Sequence, residues 1–229
     1  MKPSISEFLD VRGRRIHVRI WGPAAAPPLF LLHGWMDVSA SFQFLVDALQ
    51  REWRVIAPDW RGFGLSQWNH DAYWFPDYIA DLDVLLNHYS PDRPAHLVGH
   101  SLGGNAACLY AGICPERVAS VATLEGFGLY VGSLTDAPDR YRKWLDQLRA
   151  GPASNRYADR AEFAARLQRG NSRLKQAQAD FLALHLGQEA EDRSIVVAAD
   201  PHHKLLGPTV YHLEDSQACW RMASSCVTA

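Results

Sequence analysis

"AHLVGHSLGGNAACLY", residues 95–110, is the stretch on which the fold turns: an apolar run, then Gly99-His100-Ser101-Leu102-Gly103, then a small-residue helical pattern. A serine held between two glycines at a strand-to-helix corner sits on a strained turn that presents its hydroxyl. The glycines let neighbouring backbone pass without a Cβ clash. Bare Gly-x-Ser-x-Gly matches arise by chance in loops, so the flanking strand and helix patterns carry the weight.

Working outward, "PLFLLHG" (28–34), "RVIAPD" (54–59) and "VASVATLEGF" (118–127) are further short apolar runs of the kind expected for strands buried on both faces. "RRIHVRIWG" (14–22) alternates Ile16, Val18 and Ile20 with His17 and Arg19, which predicts a half-buried antiparallel strand near a sheet edge. Between the runs, "SASFQFLVDALQRE" (39–52) and "PDYIADLDVLLNHY" (76–89) place apolar residues on one helical face. The order β-α-β-α-β, with right-handed crossovers, predicts an α/β fold: a doubly wound, mostly parallel sheet with ligands at the carboxyl ends of its strands.

After Gly128 the chain turns charged and Ala-rich in three helical segments, 137–151, 158–170 and 172–188, and no strand pattern returns until "SIVVAAD" (194–200). The expected division is a core over 1–128, a helical cap over 129–215 and the start of a C-terminal core segment over 216–229. A second helical layer is the alternative reading of the middle part.

Chemistry gathers at the strand ends. "LFLLHGW" brings the backbone N–H of Trp35 to the edge where Leu102 opens its helix, and the two N–H groups are candidate oxyanion donors. His33 reads as a loop-holding residue. Trp35, His100 and Phe127 are candidate substrate-lining residues, within an aromatic set that also includes Trp60, Phe63, Trp68, Tyr73, Trp74 and Phe75. Of these, Phe75 and Trp74 are expected to pack cap against core.

A third signal, "APDWRGFGLS" (57–66), places Asp59-x-Arg61-Gly62-x-Gly64-x-Ser66 directly after a strand. In this order and spacing the three stretches resemble the α/β-hydrolase family over most of residues 7–128. The resemblance implies a serine hydrolase acting on an apolar, carboxylic-ester-like substrate, with Ser101 as nucleophile, because relatives that open epoxides carry Asp at the elbow. It gives Asp59 and Arg61 a loop-shaping role. Glu125 ends the strand after the elbow helix, where some relatives keep the acid that orients the base; capping of the next loop is the competing role.

The resemblance also implies a histidine after a later strand, and "HLEDSQACWRMASSCVTA" (212–229) shows a helix start but no such strand or Gly-His. The chain therefore reads as C-terminally shortened, with activity crippled by the missing base. His70, His202, His203 and His212 are the remaining candidate acceptors, and a strand left bare at Val118–Leu124 would favour self-association. A non-catalytic protein of the same fold, binding a small ligand or a partner, is the rival reading.

Composition narrows the classes. With 229 residues and 48% hydrophobic content the chain can bury a substantial core, and a net charge of −2 provides no footprint for nucleic acid. No window approaches the about 20 apolar residues of a membrane span, and the N-terminus has no signal-peptide core, so a cytoplasmic location is expected. Four cysteines without a CxxC pair read as reduced thiols. Neither a cofactor nor a metal is expected: Asp200, His202 and His203 are too close in sequence to converge on an ion.

Overall fold

Ser4–Val11 (β1) and Arg14–Trp21 (β2) form an antiparallel hairpin around Arg12 and Gly13, whose φ values of 53° and 74° match the twist of the flanking strands. The computed structural model describes residues 1–126, 128 and 134–226. Pro28–Leu32 (β3), Arg54–Pro58 (β4), Ala95–His100 (β5) and Val118–Leu124 (β6) complete a six-stranded sheet in the order β1-β2-β4-β3-β5-β6. The β1–β2 and β2–β4 pairs are antiparallel, and the other three are parallel.

The central strands are apolar on consecutive residues because both faces are covered. Phe30, Leu32, Ile56 and Leu97 face one cluster; Leu29, Leu31, Val55 and Ala57 face the other. Gln43–Ala48 (α1) contributes Val46 to the second face. Pro76–Tyr89 (α2) and Leu102–Ile113 (α3) cover the first, and Leu213–Cys226 (α7) packs against α3. Each fully buried Leu, Ile or Phe contributes roughly 1.5–3 kcal/mol, so the two-sided burial dominates the stability of the sheet.

Between β6 and α7 lie the helices Ala137–Ala150 (α4), Arg160–Gly170 (α5) and Gln176–Leu186 (α6). The middle segment is not wholly helical. Arg156–Tyr157 (β7), Gly187–Glu189 (β8) and Ile195–Val197 (β9) form a small antiparallel sheet in the order β7-β9-β8. Strands of two or three residues are too short to display a period of two. Phe163, Ala179, Ala183, Leu186 and Ile195 share a cluster with Val38 and Ala40, so this segment sits over the loop that follows β3. No residue of α4 is buried.

One expectation needs correction. β2 lies next to the sheet edge, with β1 paired outside it, but it is not half-buried: His17, expected on its polar side, is 0% exposed. The opposite edge of the described sheet is β6, which leaves Ala119, Ala122 and Leu124 exposed. Cys108 is buried, and Cys108, Cys114 and Cys219 are free thiols. No helix among the described residues is long and apolar enough to cross a membrane.

Candidate active site

Ser101 joins β5 to α3 with φ 50° and ψ −112°. Such a conformation costs a non-glycine residue of order 1–3 kcal/mol and persists only where its surroundings over-determine it. Here they do: Ser101 N–H donates to Leu124 O at 2.8 Å, and Ser101 O accepts from Asn105 N at 2.9 Å. Tight packing of α3 on the sheet requires glycine at 103, where a Cβ would lie 2.1 Å from Leu32 O and 2.7 Å from His33 O. A Cβ on Gly34 would meet His100 Nδ1 at 2.7 Å and Ser101 Cβ at 3.4 Å, so the end of β3 abuts the elbow.

His33 holds that end in place. It is fully buried, its Nδ1 donates to Gly34 O at 2.8 Å, and its Nε2 accepts from Trp60 N at 2.9 Å. Burial pushes its pKa down, which keeps the ring neutral as this donor-acceptor pattern requires. Trp35, next in the chain, is 51% exposed. Leu102 is the first residue of α3, a position whose N–H has no partner inside its own helix. His100 is exposed on the Gly34 side.

Glu125 follows β6 with φ 56°, is exposed, and makes no hydrogen bond to a histidine. Phe127 lies outside the described residues. None of the ten histidines hydrogen-bonds to Ser101. Among the four candidate acceptors, His70 and His212 are exposed. His202 Nδ1 lies 2.7 Å from Asp200 Oδ1. His203 stacks between Phe63 and Tyr73, with Nε2 on Arg61 O at 3.2 Å, and burial pushes its pKa down to about 3.

The aromatic set divides. Trp60, Phe63 and Phe75 are buried, so they pack rather than line a mouth, whereas Trp74 stays 59% exposed. Tyr73, Trp74, Trp144 and Tyr211 line a cleft of about 520 Å³ together with Arg61 and Asp77. The loop after β4 takes its shape from two buried carboxylates. Asp59 accepts from His17 Nδ1 at 2.8 Å, Ser39 N at 2.6 Å and Leu65 N at 3.0 Å. Arg61 grips Asp81 through Nε at 2.7 Å and Nη2 at 2.5 Å.

Sequence reasoning did not find the Asp200 cluster. This carboxylate, 0% exposed, accepts from Tyr73 O–H at 2.8 Å, His70 N at 2.9 Å and His202 N at 3.0 Å. Beside it Asp200 N donates to Gly62 O at 2.8 Å and Gly64 N to Ala198 O at 2.7 Å. The only local hint is Asp200-Pro201, an acidic residue before a helical turn. No group of three metal-capable side chains converges among the described residues.

A strained serine at a strand-to-helix corner, beside the end of a parallel strand on a mixed sheet, defines the α/β-hydrolase class of fold and elbow. The chain belongs to the α/β-hydrolase fold family, whose profile matches residues 27–216. A serine hydrolase-like protein of Danio rerio is 34% identical over 190 residues, covering 80% of this chain and 58% of that protein. A serine hydrolase-like protein of Dictyostelium discoideum is 25% identical over 228 residues, covering 90% and 59%. The chain thus spans about half the length of the curated relatives it matches. A hypothetical protein of Pseudomonas aeruginosa superimposes with a TM-score of 0.83 at 24% identity, covering 97% of this chain and 78% of that one. E-2-(acetamidomethylene)succinate hydrolase gives 0.71 at 25% identity, covering 99% and 78%. Similarity to these proteins supports hydrolase chemistry in general.

Proposed function

We propose that this chain is a serine hydrolase that transfers the acyl group of an apolar carboxylic-ester-like substrate to Ser101. The observation that carries the reading is the Ser101 backbone, held at φ 50° and ψ −112° by hydrogen bonds from both neighbouring elements. Ser101 Oγ attacks the carbonyl carbon, and the N–H groups of Trp35 and Leu102 receive the developing oxyanion, each worth about 3 kcal/mol in a preorganised hole. Trp35 and His100 line the acyl or leaving group. Glu125 is the acid available to orient a base, and residues 129–215 serve as the cap.

Among the described residues no histidine is bonded to Ser101, and the rings of His33, His202 and His203 are engaged elsewhere, so no proton acceptor stands beside the hydroxyl there. Acyl transfer by this chain is therefore slow: the oxyanion hole and binding alone leave roughly 10³–10⁴-fold acceleration over water, far below an intact triad. The same observation favours a second reading, a non-catalytic protein that binds a small apolar ligand.

A fluorophosphonate probe followed by peptide mapping separates the two. The expected result is a slow adduct at residue 101 that disappears in Ser101→Ala. A folded protein with no adduct at residue 101 and saturable binding of an apolar ester would favour the binder.

A further inference from the structure

The elbow is not the only serine that deserves chemistry. On β1, the exposed Ser6 has its Oγ 2.9 Å from His17 Nε2, and His17 Nδ1 lies 2.8 Å from Asp59 Oδ2. His17 and Asp59 are 0% and 2% exposed, so the relay runs from solvent into the interior. Nucleophile, base and orienting carboxylate thus stand in hydrogen-bond sequence, the arrangement that activates a hydroxyl.

The carboxylate is rigid, because Ser39 N and Leu65 N also donate to it. Burial pushes Asp59 upward, but the hydrogen bonds from His17 Nδ1 and Leu65 N–H oppose it and the pKa is held down at about 2. An ionised carboxylate only accepts, so Nδ1 of His17 is the donor, and in the neutral ring Nε2 accepts the Ser6 proton.

Directly across the ladder from Ser6 stands Arg19. Its Nη1 donates to Ser4 Oγ at 3.1 Å, while its Nε is buried with no hydrogen-bond partner. A cationic group with an unspent donor therefore lies opposite the hydroxyl. Arg19 and Asp59 also border a cavity of about 100 Å³, walled by Val38, Leu65 and Leu184. Ser6 and His17 do not line this cavity, so the hydroxyl takes its substrate from the solvent side of β1.

We propose that Ser6 is a second acyl-accepting nucleophile, with His17 as its base and Asp59 as the orienting carboxylate, acting on activated carboxylic esters. Ser6 Oγ forms a bond to the carbonyl carbon as its proton passes to His17 Nε2. The C–O bond of the ester then breaks, and the departing alcohol takes the proton back from His17. The products are acyl-Ser6 and the free alcohol, and Arg19 carries the oxyanion between.

The test treats Ser101→Ala with p-nitrophenyl acetate and locates acetylation by fragmenting the tryptic peptide that ends at Arg12. Ser4 lies on the same face but has Arg19 rather than an imidazole as its partner, so it serves as the internal reference. General-base assistance is typically ~10²–10⁴-fold, so Ser6 is expected to acetylate about 100-fold faster than Ser4. In Ser101→Ala/Ser6→Ala serine acetylation of this peptide is expected to fall to the slow Ser4 level. Equal rates at Ser4 and Ser6, or no acetyl-Ser6 in folded protein, would overturn the proposal and leave His17 as packing alone. Mapping the wild-type protein reads residues 6 and 101 separately, so failure at one does not carry over to the other.

Discussion

Replacing Arg61 with methionine should test the buried charge that shapes the loop after β4. Arg61 is 6% exposed and Asp81 1%, and the guanidinium meets the carboxylate through two bonds at 2.7 and 2.5 Å. Removing the cation leaves Asp81 with only Arg12 Nη1, at 3.3 Å from the half-exposed side. Burial already pushes the Asp81 pKa upward, so the carboxylate without Arg61 has to be protonated or pay for desolvation. Breaking one side of a buried pair costs about 3–5 kcal/mol. For a domain of this size each kcal/mol moves Tm by about 2–4 °C, which predicts a fall of roughly 6–20 °C for Arg61→Met at pH 7. Thermal unfolding followed by circular dichroism measures it. Arg61→Met/Asp81→Leu removes the stranded charge and should recover most of the loss. A single variant within about 2 °C of wild type, or a double variant no better than the single, would refute the reasoning.

Acid should unfold the protein partly through Asp59. Its folded pKa of about 2 lies below the unfolded value of about 3.9, so the stabilisation is complete above that value and is lost as pH falls towards 2. The contribution is on the order of 2–3 kcal/mol; urea midpoints at pH 7 and pH 3 should differ less in Asp59→Asn than in wild type, and an unchanged difference would assign the acid sensitivity elsewhere. The exposed β6 edge should drive concentration-dependent self-association, because its outer backbone groups are unpaired in the described sheet. Sedimentation velocity should show Ala122→Lys shifted towards monomer, whereas a wild-type protein that stays monomeric at high concentration would remove the edge from consideration.

The sheet was largely legible because two-sided burial writes itself into composition: β3, β4, β5 and β6 are apolar on successive residues, and α2 begins and ends where its pattern does. The Ser101 corner was legible for a different reason, since its glycines answer local steric demands at Leu32 and His33. β1 left little trace. As an edge strand it keeps Ser6, Glu7, Phe8 and Asp10 in solvent, and no alternation marks it. The partners of His17 and Asp200 were illegible because they are distant in sequence: 42 residues separate His17 from Asp59, and 127 separate Tyr73 from Asp200. No local spacing encodes such pairs, whereas Asp59 and Arg61 could be assigned to the loop from their motif.

The knot at Asp200 divides the upper half of the molecule into frame and door. Lifting residues 198–203 off the loop after β4 would break the bonds Gly64 N to Ala198 O and Asp200 N to Gly62 O, and those from Tyr73 and His70 to the Asp200 carboxylate. At about 0.5–1.5 kcal/mol each, together with the stacking of His203, that is several kcal/mol for any swing of the whole unit. α4 buries no residue and is held by two bonds of its own, Arg140 Nε to Pro208 O at 2.9 Å and Leu206 N to Gln147 Oε1 at 2.7 Å. Trp144 of α4 lines the 520 Å³ cleft together with Tyr73 and Trp74, so moving this one fourteen-residue helix aside to widen the cleft would cost two hydrogen bonds and no buried side chain, less than lifting the Asp200 turn.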